Sequence, residues 1–378
     1  MIAPPSTILV VDDSPVNLQV LVRTLNGTGH RVLAARDGRS ALEIARRAHP
    51  DLMLLDVMMP EMDVFEVCRA IKADPATQDI GVIFLSALGE VSDKVSGLSL
   101  GAIDYVTKPI QAEEVLARVA NHLTNRYLEM ELRRSRDSLN RELAGAARMQ
   151  RLLLPPALPA HPAVHFAAHY QTSRHAGGDY YDVLPIDGDR FGVMVADVSG
   201  HGAPAAILMA MFRAVLHSYP GAADDPPAVL AHLDRHFDYL RDSGMFATAI
   251  YAVVDAPART LRCSCAGHPL PLLVRAGAVT ELPLAAVPPL LLLPLEDVAC
   301  TEQALLPGDR LVLYTDGVTE REAPNGAMYE VDGLRDSCAR AAALEPPQLV
   351  ARLVADLTRF AAGQEPSDDA TIVAIGIG

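Results

Sequence analysis

Phe191-Gly192-Val193-Met194-Val195-Ala196-Asp197-Val198-Ser199-Gly200-His201-Gly202 is a six-residue apolar run that ends on a carboxylate and then turns through two glycines. The run reads as a strand, and the glycines let the backbone approach a ligand or ion with no Cβ in the way. Three remote stretches repeat the plan: Gly177-Gly178-Asp179, Tyr314-Thr315-Asp316-Gly317 and Asp368-Asp369-Ala370-Thr371. Asp316 follows Leu311-Val312-Leu313-Tyr314, and Asp368 precedes a final apolar run. Four carboxylates gathered at one sheet end suit hard divalent cations such as Mg2+ or Mn2+. Two such ions about 3.5–4 Å apart lower the pKa of a bridging water and clamp a phosphoryl group.

Outward from these motifs, strand-like runs fill 164–170, 191–196, 246–254, 260–266, 270–274, 310–314 and 371–377. Helical stretches are expected at 203–217, at 226–242 with Leu230, Leu233, Phe237 and Leu240 on one side, and at 347–361. Many strands with grouped helices predict sheet-on-sheet packing flanked by helices, an α+β domain.

The first third has a different rhythm. Short, uniformly apolar runs at 8–11, 31–34, 52–55, 82–85 and 104–106 alternate with helical stretches at 15–26, 40–48 and 113–122. That alternation predicts an α/β domain with a parallel sheet covered on both faces. In such sheets ligands sit beyond the carboxyl ends of the strands, where Asp12, Asp13, Asp56, Ser86 and Lys108 all fall. Taken singly, Asp12 and Asp13 also read as a helix-capping pair and Asp56 as a turn residue.

The chain has 378 residues, enough for two or three domains. With no Trp and 5% aromatics, Leu, Val, Ala and Ile must build the cores. A net charge of -15 argues against nucleic acid as a partner. Five scattered cysteines do not make a disulfide framework and are expected as reduced core thiols, with Cys263 and Cys265 on one strand face. Residues 1–7 lack the features of a signal peptide, and the most apolar segment, 284–295, is broken by Pro288, Pro289 and Pro294. The expectation is a cytoplasmic protein with no membrane anchor.

Between the two regions, 122–154 contains no Pro and repeats Leu132, Leu139, Ala146 and Leu153 every seventh residue, with Ser135 and Glu142 interrupting. This is a helix with an imperfect coiled-coil seam and a route to a homodimer, or a lone helix lying on a neighbouring domain. Pro155-Pro156 ends it.

The first region resembles the receiver domain of two-component response regulators. Val11-Asp12-Asp13-Ser14, Asp56-Val57-Met58-Met59-Pro60, Ser86-Ala87 and Tyr105-Val106-Thr107-Lys108-Pro109 stand in that family's order. The resemblance implies a flavodoxin-like doubly wound fold over 1–123 and a sensor histidine kinase as partner. It makes Asp56 the phosphoacceptor, and has Asp12, Asp13, Asp56 and the Met58 carbonyl hold Mg2+. Lys108 and Ser86 then meet the phosphoryl oxygens, Tyr105 moves with the switch, and the Lys108-Pro109 bond is cis. Val64 stands where the family has Gly, so the loop after Asp56 is expected to differ.

The remainder resembles the sporulation-type (SpoIIE-like, PPM) branch of metal-dependent serine/threonine protein phosphatases. The carriers are Gly-Gly-Asp-Tyr-Tyr-Asp, Ala-Asp-Val-Ser-Gly-His-Gly, Ala266-Gly267-His268-Pro269, Pro307-Gly308-Asp309, Tyr-Thr-Asp-Gly-Val-Thr-Glu and Asp-Asp-Ala-Thr, in family order. The helix ending Met149-Gln150-Arg151-Leu152-Leu153-Leu154-Pro155 is similar to that family's lead-in helix. The resemblance implies an α-β-β-α sandwich over 155–378 after a helical linker at 124–154. Two Mn2+ or Mg2+ ions would be held by Asp179, Asp197, the Val198 carbonyl, Asp316 and Asp368, with Asp182 and Asp369 orienting them. The implied substrate is a phosphorylated anti-sigma-factor antagonist. His201 is either a general acid for the leaving oxygen or an orienter of its loop, and His268 shapes a turn. The Ala286-Val287-Pro288-Pro289-Leu290-Leu291 segment departs from the family's Gly-x-Pro-Leu-Gly. Two other readings stand beside this one. One is a pseudophosphatase that binds a partner under receiver control; the other is a diguanylate cyclase, for which Tyr180-Tyr181 replaces the required Glu-Phe.

Overall fold

Leu52–Asp56 (β3) is buried along its whole length, as a strand with both faces covered must be. In this computed structural model, which describes residues 5–59, 62, 64–87, 101–173, 176–200, 202–285 and 287–378, it lies at the centre of the first unit. Around it run β1 (Thr7–Val11), α1 (Pro15–Asn26), β2 (Arg31–Ala35), α2 (Gly38–Ala48), α3 (Val64–Ala73), β4 (Gly81–Ala87) and β5 (Asp104–Lys108). The strands pair in parallel in the order β2-β1-β3-β4-β5. Alternate residues of β1 point to opposite cores: Leu9 and Val11 with α2 and α3, Ile8 and Val10 with α1. Val64 opens α3 as an ordinary buried helical residue. Lys108-Pro109 is cis.

Contacts divide the chain into Met1–Asp137 and Ser138–Gly378. The division falls inside α4 (Ala112–Arg151), a single helix of 40 residues that joins the helix expected at 113–122 to the helical linker expected at 124–154. Of the seam residues, Leu132 and Leu139 are exposed, while Leu153 packs on the core beyond the helix end.

The second unit contains two antiparallel five-stranded sheets. One is β13 (Thr301–Ala304), β10 (Thr260–Ala266), β9 (Ala247–Asp255), β8 (Arg190–Val198) and β7 (Tyr180–Pro185), in that order. The other is β12 (Ala278–Glu281), β11 (Leu272–Arg275), β14 (Arg310–Tyr314), β15 (Ala370–Ile377) and β6 (Val164–Gln171). Period-two alternation sorts their side chains. Val193, Val195, Leu311, Leu313, Val373 and Ile375 fill the space between the sheets. Met194 and Ala196 face α5 (Ala203–His217) and α6 (Pro226–His236), whereas Val312, Tyr314 and Ile372 face α7 (Asp316–Thr319), α8 (Glu330–Arg340) and α9 (Pro346–Ala361). The result is the expected α-β-β-α sandwich.

The helix expected at 226–242 is corrected: it stops at His236, and Asp238–Ser243 continues as a 3-10 turn. Phe237 turns into the core and stacks on Phe212, ring centroids 6.0 Å apart, so the helical path is given up there. Of the departing segment, residues 287–291 are described. Leu290 pairs with Ala247, and Leu291 is buried at φ 70, a left-handed value that favours the Gly which the resembled family carries. Buried Asp234 holds this loop by accepting from the Leu291 and Leu295 N–H groups. Cys263 and Cys265 are free and buried on one face; burial pushes their thiols up to about 12 and about 11.

Candidate functional site

The first unit brings its acidic residues together at the carboxyl ends of β1 and β3. Asp12, Asp13 and Asp56 each offer a carboxylate oxygen, all within 4.8 Å of one another. Asp12 and Asp56 are buried. Asp12 does not cap α1; Ser14 does, and Asp12 instead accepts from the Ser14 N–H and from Asn17 Nδ2. Lys108 at the end of β5 places Nζ 2.7 Å from Asp56 and 3.2 Å from Asp12. Burial raises the Asp56 pKa, with Lys108 opposing. The Met58 N–H lies 3.3 Å from Asp56 Oδ1, so that loop backbone reaches the site. Ser86 Oγ is buried with no partner among the described residues. An oxygen-only cluster fits a hard cation, and an orphaned hydroxyl beside it fits an incoming acceptor.

In the second unit four strand ends converge. Asp179 immediately precedes β7, Asp197 lies near the end of β8, Asp316 begins α7 after β14, and Asp368 lies just ahead of β15. Asp179 is buried, and its Oδ2 accepts from Thr315 Oγ1 at 2.8 Å and Thr371 Oγ1 at 2.6 Å, both from the opposite sheet. Asp369 is buried too, accepting from the Ser173 N–H at 2.7 Å and the Gly178 N–H at 2.8 Å. A Cβ on Gly178 would sit 2.2 Å from the Val198 carbonyl oxygen, and one on Gly177 1.8 Å from Asp369 Oδ2. Both glycines are therefore required by close approach, and the Val198 carbonyl lies at the site.

Electrostatics show how near these groups are. Burial, then the like charges of Asp316, Asp368 and Asp369, raise Asp197 to about 7. Asp179 is raised by burial and by Asp197, and burial also raises Asp316. These carboxylates are spread more widely than the receiver cluster, the only group of three within 4.8 Å among the described residues. Mutually repelling, oxygen-donor groups in a buried setting fit divalent cations.

Some expectations change. Asp182 does not face this site; it accepts from Tyr180 OH and pairs with His217 of α5, both at 2.6 Å. His268 is more than a turn residue: its Nδ1 bonds Thr248 Oγ1, whose residue stands opposite Asp197 in the β8–β9 pairing, and burial lowers the imidazole to about 3. His201 lies outside the described residues. Reading the sequence missed Thr315 and Thr371, which stand inside the motifs but act on a carboxylate more than a hundred residues away, and Gln150, whose amide bonds Gly177.

Comparison with known proteins follows these lines. The family model described as Stage II sporulation protein E (SpoIIE) matches residues 187–378, and the response regulator receiver domain matches 8–120. Response regulator PleD of Caulobacter vibrioides is 44% identical over 143 residues, 37% of this chain and 31% of that protein. A probable transcriptional regulator ycf27 of Galdieria sulphuraria is 46% identical over 112 residues, 30% of this chain and 43% of its own. This chain thus spans less than half the length of these curated relatives. Among solved structures, the SiaA-PP2C domain of Pseudomonas aeruginosa matches with a TM-score of 0.58 and 23% identity, over 65% of this chain and 99% of that one, a likeness of fold. The RsbU and RsbW domains of a Mycobacterium tuberculosis protein match with a TM-score of 0.52 and 27% identity, over 60% of this chain and 63% of that one. No helix among the described residues is long and apolar enough to cross a membrane.

Proposed function

This chain belongs to the Stage II sporulation protein E family, and we propose that it is a metal-dependent phosphatase acting on phosphoserine or phosphothreonine of a protein, controlled by a receiver phosphorylated on Asp56. The observation that carries the reading is the convergence of Asp179, Asp197, Asp316 and Asp368 at one end of two sheets, close enough to perturb Asp197 strongly. Asp179, Asp197, the Val198 carbonyl, Asp316 and Asp368 are the residues that would hold two Mn2+ or Mg2+ ions. Bound there, the ions supply an acidified water and neutralise phosphoryl charge. Water oxygen bonds to phosphorus, the bond to the serine or threonine oxygen breaks, and that oxygen takes a proton, leaving a free hydroxyl and inorganic phosphate. Thr315 and Thr371 hold Asp179 in orientation, and Asp369 fixes the Gly178 turn before it.

In the receiver, a kinase phosphohistidine supplies the phosphoryl group and an Asp56 oxygen accepts it. Asp12, Asp13, Asp56 and the Met58 carbonyl are the residues for Mg2+; Lys108, already at 2.7 Å from Asp56, and Ser86, whose hydroxyl has no partner among the described residues, suit the phosphoryl oxygens. The family resemblance supports a phosphorylated anti-sigma-factor antagonist as the substrate class. The purified chain with Mn2+ is expected to release phosphate from such a phosphoserine protein, and Asp197→Ala to lower the rate by roughly 10²-fold or more. Binding of the phosphoprotein with no phosphate release would make the chain a receiver-controlled binding module instead.

A further inference from the structure

Gln150 lies one residue before the carboxyl end of α4 and is buried. Its amide makes two hydrogen bonds to a single residue: Nε2 donates to the Gly177 carbonyl at 2.5 Å, and Oε1 accepts from the Gly177 N–H at 3.1 Å. A side chain thus takes the place of a neighbouring strand, satisfying both backbone groups of a residue that has no room for a side chain of its own. The next residue, Gly178, is held from elsewhere, through its N–H by Asp369 and through its carbonyl by the Val198 N–H. Asp179 follows directly. The end of α4 is itself fixed: the Leu153 N–H bonds the Gln150 carbonyl at 2.9 Å, and Leu153 and Leu154 seat in the core beneath α5 and α6.

We propose that Gln150 is a positioning residue for the metal centre, setting the Gly177–Asp179 turn so that Asp179 stands where it can share a cation with Asp197. The inference rests on the metal-site reading above and assigns to the linker helix a direct part in that site. It differs from general support of the fold, because the amide acts on one turn, whereas the leucines beside it act on the core.

The test uses the full chain with Gln150→Leu, Gln150→Glu and Leu153→Ala, following Mn2+ binding by titration calorimetry and melting without metal. The Mn2+ signal lost in Asp197→Ala defines the site. Gln150→Leu is expected to weaken that binding by roughly 10–100-fold, the range for groups that orient metal ligands. Gln150→Glu weakens it further, because a second oxygen then opposes the Gly177 carbonyl. Leu153→Ala lowers the melting temperature and leaves the affinity unchanged. Wild-type affinity in Gln150→Leu, or an equal loss in Leu153→Ala, overturns the proposal. A wild-type Mn2+ signal that Asp197→Ala does not reduce overturns the metal-site reading itself.

Discussion

At the scale of single residues, Asp197 is the most telling group. Its carboxyl is held near pH 7 by burial and by Asp316, Asp368 and Asp369, well above the ordinary 3.8. An acid whose pKa is raised on folding keeps its proton in the folded chain after the unfolded chain has lost it. Its contribution to stability is therefore complete below about pH 4 and lost as pH rises through about 7. The ion-free protein should melt at lower temperature at pH 8 than at pH 5, and Asp197→Asn should remove much of that difference. Mn2+ must displace the proton, so apparent affinity should rise between pH 6 and 8; calorimetry in two buffers of unlike ionisation heat would register the proton released. The four carboxylates and the receiver cluster were readable in sequence because each one stands at the edge of an apolar run. Thr371 was not, since nothing near it in the chain announces Asp179, 192 positions away. Asp182 misled for the converse reason: it sits inside a motif, yet its partners are Tyr180 and His217.

At the scale of elements, the central strands and the long amphipathic helices could be read, and the margins could not. β12 and β13 are four-residue edge strands with half-exposed, mixed side chains, and β7 begins at the tyrosines and ends on Pro185. α8 carries a Gly and alternating charges, so its apolar stripe of Leu334 and Cys338 is thin. Its place is set by α9, through buried Asp356. Burial disfavours the charge on Asp356, but hydrogen bonds from Arg359, Ser337, Arg340 and Arg352 outweigh it and hold the carboxyl down at about 2. Ser337 and Arg340 belong to α8, so this one carboxylate joins two helices. Asp356→Asn is expected to cost about 1.5–3 kcal/mol at pH 7. For an acid whose pKa falls on folding, the stabilisation is present above about pH 4 and fades as pH drops towards 2. Urea melts of the two proteins across that range should converge at the acid end.

At the scale of the whole molecule, two units with separate cores share one chain and one long helix, and the unit boundary falls inside that helix. The order of the units could be read from strand rhythm, and both stretches of α4 could be read as helical; that they form one helix could not, because the apolar positions at Val115 and Val119 serve the first unit's core and those at and beyond its far end serve the second. If phosphorylation of Asp56 governs the second unit, phosphate release by the wild type should change when a small phosphodonor is added, while Asp56→Asn should not respond; equal rates under both conditions would rule this control out. Asp179 and Asp197 belong to one sheet, and Asp316 and Asp368 to the other. Ions seated among them would add a second clasp to the hydrogen bonds that Thr315 and Thr371 already make to Asp179 across the sandwich, so that stripping the metal should loosen this end of the second unit as well as empty its site.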